Sequence, residues 1–135
     1  MNRAAIIILR NMDNLLFSLR DDKPYIDYPN HWSPIGGQIE KNETPIEAIK
    51  REIKEEIECD EIKNIEFVKM IKVRNNPYCK DHDLYIFKGI IDKKIDELNL
   101  TEGQKLGYFN ITEFKELKFP EFLKQYIITN KENFF

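Results

Sequence analysis

The chain has 135 residues, and its 24 acidic and 21 basic side chains give a formal net charge of −3. This length fits one compact domain, and 41% hydrophobic residues with nine Phe, six Tyr and one Trp provide enough apolar volume for a core. The acidic balance argues against a dedicated nucleic-acid-binding protein, but it allows a nucleotide substrate if a bound metal supplies positive charge locally.

The apolar segments of the sequence are short. Residues 4–9 form one of the longest, well below the roughly 20 residues that a membrane-spanning helix needs. Two cysteines, Cys59 and Cys79, are too few for a disulfide-stabilised secreted domain. We therefore expect a soluble intracellular protein in the cytoplasm, with a single domain over residues 1–135 and no membrane partner.

The N-terminal part predicts two strands followed by a loop. Residues 4–9 are rich in β-branched side chains, and a turn over 11–14 leads to a hairpin partner at 15–20. Residues 21–31 contain several Asp, Pro and Asn residues, which predict a long loop. Loops of this length often carry function.

The next segment predicts a helix over about residues 45–57. Thr44 and Glu47 form a capping box, and Pro45 occupies the first helical position. One apolar stripe follows with helical spacing: Ile46, Ile49, Ile53 and Ile57. The glycine pair Gly36–Gly37 precedes this helix and would let a ligand or metal approach the backbone closely.

The C-terminal part predicts three more strands and two helices. The strands are expected over 65–73, 84–91 and 106–110, a short helix capped by Thr112 over 112–117, and a final helix over 120–128. This order of elements predicts an α/β fold in which helices cover a mixed sheet.

Three carboxylates share one face of the predicted helix, because Glu52, Glu55 and Glu56 stand at positions i, i+3 and i+4. Their charges repel one another, and the C-terminal half of a helix disfavours anions. A divalent cation such as Mg²⁺ or Mn²⁺ would relieve this repulsion, since both prefer carboxylate oxygens. The helix alone leaves a simple exposed acidic surface as an equal alternative.

Seven residues before and within this helix stand at the intervals of one sequence motif: Gly37, Glu43, Arg51, Glu52, Ile53, Glu55 and Glu56. The pattern resembles the signature of the Nudix hydrolase superfamily, and Glu102–Gly103–Gln104 is similar to its MutT-like branch. We call the matching segment from Gly37 to Cys59 the Nudix-like box. Within it, Glu58 stands where the family has its final glycine. That glycine normally ends the helix in a left-handed conformation, so we expect a longer helix or a strained cap at Glu58.

The resemblance implies a Nudix-type α/β/α sandwich and a pyrophosphohydrolase that cleaves a nucleoside diphosphate linked to another group, using Mg²⁺ or Mn²⁺. The favoured substrate is a nucleoside triphosphate, giving monophosphate and pyrophosphate. The alternatives are a nucleotide-sugar or ADP-ribose pyrophosphatase and, from a different class, a non-catalytic nucleotide-sensing module. Nudix proteins are often dimers, so a homodimer is also possible.

The implied metal ligands and catalytic residues are Glu52, Glu55, Glu56 and Glu102, with the Gly36 backbone as a further metal ligand. Either Glu52 or Glu102 is the candidate base that activates water.

Other residues are expected to support this site. Arg51 and Glu43 are expected to pair and brace the loop against the helix. Substrate-binding candidates are Arg20 for phosphate, Trp32 for stacking on a base, and Gly37 for a close backbone approach. Arg20 also suits an ordinary surface position, and Trp32 also suits the core.

Overall fold

A seven-stranded mixed sheet lies at the centre of the molecule, which the computed structural model describes for residues 2–135. In chain order the elements are β1 (Asn2–Asn11), β2 (Asn14–Leu19), β3 (Trp32–Ser33), β4 (Ile35–Gln38), α1 (Pro45–Ile57), β5 (Lys63–Val73), β6 (His82–Ile90), a 3₁₀ turn (Ile95–Glu97), β7 (Lys105–Phe109), α2 (Ile111–Glu116), α3 (Glu121–Thr129) and α4 (Lys131–Phe134).

Strand β1 organises the sheet. It pairs in parallel with β6 along one edge, while its other edge is shared by two antiparallel partners. Strand β2 pairs with the C-terminal end of β1, and β4 pairs with its N-terminal half, where Ala5 lies opposite Gly37 and Ile6 opposite Gly36. Strand β5 extends the sheet beyond β6, and both β3 and β7 pair with β2. The predicted mixed sheet is confirmed.

Helices cover both faces of the sheet, so the predicted α/β/α sandwich is also confirmed. On one face, the apolar stripe of α1 is buried against β1, with Ile49, Ile53 and Ile57 at most 3% exposed. On the other face, Phe114 of α2 packs against Phe17 of β2 with ring centroids 5.3 Å apart. Helices α3 and α4 complete this second core.

Helix α1 begins and ends where the sequence predicts. The Thr44 side chain accepts a hydrogen bond from the Glu47 N–H, and the Glu47 carboxylate accepts one from the Thr44 N–H, which completes the capping box. At the other end Glu58 adopts φ 51° and ψ 40°, the strained left-handed cap that was one of the two expected outcomes.

The glycine pair lies in strand β4, which was not predicted and which forms because its backbone pairs with β1. One local expectation is wrong. Asn110, not Thr112, caps α2, because its side chain accepts a hydrogen bond from the Glu113 N–H and forms a capping box with Glu113 that was not predicted. Strand β3 and helix α4 were not predicted. Within residues 2–135, no helix has the length and apolarity that crossing a membrane would require.

Candidate metal and substrate site

The glycine pair of β4 lies directly against the acidic side of α1. The Gly36 N–H donates a hydrogen bond of 2.8 Å to Glu56 Oε2. A Cβ atom added to Gly37 would lie 2.5 Å from Glu52 Oε1, so a larger residue would displace that carboxylate. The spacing of the Nudix-like box therefore brings a strand backbone and two helix carboxylates together.

A cavity of about 440 Å³ opens beside this contact. Six of the residues singled out in the sequence line it: Arg20, Gly36, Gly37, Glu52, Glu56 and Glu102. Arg20 also donates from Nε to the Asp27 carbonyl at 2.7 Å, which fixes the start of the loop after β2. The cavity therefore brings an arginine and three carboxylates together from distant parts of the chain.

Burial controls the charge state of the carboxylates. Burial raises the pKa of Glu56 to about 8, against the opposing bond from the Gly36 N–H, and the negative charges of Glu52 and Glu102 raise it further. Burial also raises the pKa of Glu52, while Arg51 lowers it. Without a cation, Glu56 is therefore mostly protonated at neutral pH, and binding of a cation would release its proton.

Arg51 connects the loop before α1 to the carboxylates. Its Nε and one terminal nitrogen bond the two oxygens of Glu43 at 2.7 and 2.9 Å. Its other terminal nitrogen bonds Glu52 at 2.9 Å and Glu55 at 3.2 Å. Hydrogen bonds from Arg51, together with the Glu40 N–H, lower the pKa of Glu43 to about 2. Arg51 thus supplies the positive charge beside Glu52 and Glu55.

The carboxylate oxygens of the site suit a hard divalent cation, although their side chains are not arranged around one point. Among residues 2–135, no group of three acidic, His or Cys side chains has a metal-binding arrangement. Glu52 is turned towards Arg51, and Glu55 is 58% exposed. The fit rests on the partly buried Glu52 and Glu56 beside Glu102, since a cation compensates the repulsion among oxygen donors of one sign.

Two of the residues expected to bind the metal or the substrate do not line the cavity. Of the described side chains, Glu55 and Trp32 are not among those that line it. Trp32 makes an edge contact with Phe109, with ring centroids 4.7 Å apart, and Lys105 Nζ lies 5.8 Å from its ring. The structure thus does not bring Trp32 to the carboxylates, and its indole packs against the second core.

The cavity is also lined by residues that were not predicted from the sequence to belong to the site. Its apolar lining comes from β1, β6 and α3, in particular Ile6, Leu84, Phe122 and Leu123. Tyr28, from the loop between β2 and β3, also lines it. No local pattern identifies the apolar residues, because they meet only when α3 packs beside the sheet.

A family model described as NUDIX domain matches residues 1–129. Among solved structures with this fold, the MutT protein of Methanosarcina mazei Go1 superposes with a TM-score of 0.81 and 15% identity, covering 98% of this chain and 94% of that one. The MutT NUDIX hydrolase of Burkholderia pseudomallei gives a TM-score of 0.70 and 16% identity over 88% of both chains. A bifunctional NMN adenylyltransferase/ADP ribose pyrophosphatase of Francisella tularensis gives 0.75 and 18%, covering 97% of this chain but 40% of that one.

Proposed function

The chain belongs to the Nudix family and is a Nudix pyrophosphohydrolase, and on this premise we propose that its substrate is a nucleoside triphosphate. The proposed products are a nucleoside monophosphate and pyrophosphate, and the proposed cofactor is Mg²⁺ or Mn²⁺. One observation carries the proposal: Arg20 lines the same cavity as Glu52, Glu56 and Glu102. Carboxylates suited to a hard cation thus face a guanidinium suited to phosphate.

The proposed metal ligands are Glu52, Glu55, Glu56, Glu102 and the backbone carbonyl of Gly36. A bound divalent cation would neutralise the diphosphate and make a water molecule more acidic. Glu56 is chiefly a ligand, because its bond to the Gly36 N–H restricts its rotation. The base that accepts the proton of water is Glu52 or Glu102, both of which line the cavity.

The proposed substrate lies along the length of the cavity. Arg20 contacts phosphate near the carboxylates, and Gly37 lets the substrate approach the backbone of β4. The nucleobase lies against the apolar part of the lining, at Phe122 and Leu84. A volume of about 440 Å³ is in the lower part of the usual range for small-molecule sites, which favours one nucleotide over a dinucleoside polyphosphate.

A nucleotide-sugar or ADP-ribose pyrophosphatase is the second candidate. The Francisella tularensis protein with this fold is described as having an ADP ribose pyrophosphatase part, and it was also crystallised with AMP and a Mn ion. A nucleotide-sensing module without catalysis is the alternative from another class. All Nudix-box carboxylates are present in this chain, which favours catalysis over sensing.

We also propose that residues 1–135 act as one domain in the cytoplasm. A homodimer stays a prediction, and light scattering of the purified protein measures it directly.

The test is metal-dependent product release from a panel of nucleotides: ordinary and oxidised triphosphates, nucleotide sugars, ADP-ribose and dinucleoside polyphosphates. Turnover of triphosphates with Mg²⁺ or Mn²⁺ is expected. Glu56→Gln should lower kcat about 10²-fold or more, whereas Glu47→Gln should leave it unchanged, because an amide oxygen still accepts the Thr44 N–H bond. Turnover of ADP-ribose or nucleotide sugars alone would select the second candidate. Tight nucleotide binding without turnover would select the sensor.

A further inference from the structure

The loop before β7 is bound to the C-terminal end of α1 by Thr101. Its side-chain hydroxyl donates to the Glu55 carbonyl, and its N–H donates to the Glu56 carbonyl at 3.0 Å. The last carbonyls of a helix have no partner within the helix, so these bonds complete the hydrogen bonding of the final turn. Both carbonyls belong to residues of the acidic cluster, and the next residue in the loop is Glu102.

Asn99 adds a second attachment at the same helix end. Its N–H donates to the Ile57 carbonyl at 3.4 Å, and its side chain donates to Glu58 Oε1 at 2.6 Å. Glu58 occupies the place of the family's final glycine, so this chain uses the side chain at that position to hold the loop. The loop is therefore joined to four consecutive residues, the last three of α1 and the C-cap residue Glu58.

On its other side, Glu102 is followed by an attachment to β2. The Gln104 N–H donates to the Leu19 carbonyl at 2.8 Å, and the Gln104 side chain donates to the Arg20 carbonyl at 2.8 Å. Gly103 has φ +94°, and a Cβ atom there would lie 2.9 Å from the Leu19 oxygen. Residues 99–104 thus connect α1 to β2, and Glu102 lies between the two attachments.

We propose that Thr101 is a positioning residue that holds Glu102 beside Glu52 and Glu56. Glu102 is exposed and lines the cavity, and its charge acts on both helix carboxylates. An exposed side chain on a free loop would be mobile, so the place of Glu102 depends on the attachments that flank it. This inference rests on the proposed role of Glu102 in the metal site.

The experiment compares Thr101→Val, which removes the hydroxyl but keeps the shape, with Thr101→Ser, which keeps the hydroxyl. Mn²⁺ affinity is measured on the protein without substrate, from the electron paramagnetic resonance signal of free Mn²⁺, and kcat and KM are measured separately. Loss of one hydrogen bond predicts a Kd for Mn²⁺ raised about 5-fold and a lower kcat, with KM for the nucleotide unchanged. Thr101→Ser should restore both values.

A double-mutant cycle separates positioning from general stability. If Thr101 acts through Glu102, Thr101→Val should change neither Mn²⁺ affinity nor kcat in a Glu102→Gln background. Thr44→Val removes the cap hydroxyl at the opposite end of α1 and should lower stability without changing Mn²⁺ affinity. Thr101→Ala removes the same hydroxyl and replaces the valine variant if that variant does not fold.

The inference is overturned if Thr101→Val binds Mn²⁺ as the unmodified protein does, or if its effect persists in the Glu102→Gln background. A separate result concerns the proposed function itself. If Glu102→Gln alone leaves Mn²⁺ affinity and kcat unchanged, the proposed role of Glu102 is wrong, and the inference fails with it. A loss in Glu102→Gln but none in Thr101→Val rejects only the positioning role.

Discussion

Replacing Gly37 by alanine should separate activity from stability. Gly37 has no left-handed backbone angle, so alanine can adopt its conformation within β4. The new Cβ atom would lie 2.5 Å from Glu52 Oε1 and 2.8 Å from its Cδ. The carboxylate must therefore retreat by about 0.9 Å to reach ordinary contact at 3.4 Å. A displacement of about 1 Å in a catalytic group lowers the rate by about 10²-fold.

The assay is kcat for pyrophosphate release, measured beside urea unfolding of the same protein. Stability should change by less than about 1 kcal/mol, because the atoms that must move are the end of a flexible side chain. Gly89→Ala is the matched control: its Cβ atom would meet Ile62 Cγ2 at 3.0 Å, away from the cavity, and kcat should hold. If Gly37→Ala has the same kcat as the unmodified protein, catalysis does not require Glu52 at its present position.

Three further predictions concern stability. Because bonds from Arg51 hold the pKa of Glu43 at about 2, its stabilising contribution is complete above pH about 4.5 and is lost as the pH falls towards 2. Glu43→Gln should remove this dependence in urea unfolding between about pH 1.5 and 6, a range that brackets the ordinary pKa of 4.5 and the folded value of about 2, and an unchanged pH profile would contradict it. Glu58→Gly relieves a left-handed glutamate and should raise the free energy of unfolding by about 0.5–1 kcal/mol, whereas a loss would mean that the Asn99 bond outweighs the strain. Asn110→Ala should lower the free energy of unfolding by about 1 kcal/mol, and Thr112→Ala should change it by less than about 0.5 kcal/mol; the reverse order would show that the cap of α2 is misassigned.

Local chemistry was enough to predict helix α1 and the box around it. Thr44, Pro45 and Glu47 act within one turn, and the isoleucine spacing needs only the helical period. Glu52 and Glu56 lie beside the glycine pair, as the family spacing implies. Patterns formed by residues close together in the chain can be interpreted without knowledge of the tertiary contacts.

Contacts between distant segments could not be predicted in this way. Strand β4 has four residues, two of them glycine, and exists because its backbone pairs with β1 about thirty residues earlier. Trp32 has the same sequence neighbourhood whether it stacks on a nucleobase or makes an edge contact with Phe109, and the contact with Phe109 depends on the pairing of β7 with β2. The apolar lining of the cavity could not be predicted for the same reason, since Phe122 joins it from α3.

The pairing of Ala5 with Gly37 restricts where residues can be inserted into or deleted from the chain. Neighbouring residues of a strand point to opposite faces, so one residue inserted within β4 would turn Gly37 away from Glu52 and present a different side chain there. The turn at Met12, which is 80% exposed, joins β1 to β2 far from this contact and has no such restriction. Insertions and deletions should therefore accumulate at the first hairpin turn and be eliminated from the short strand that carries the two glycines.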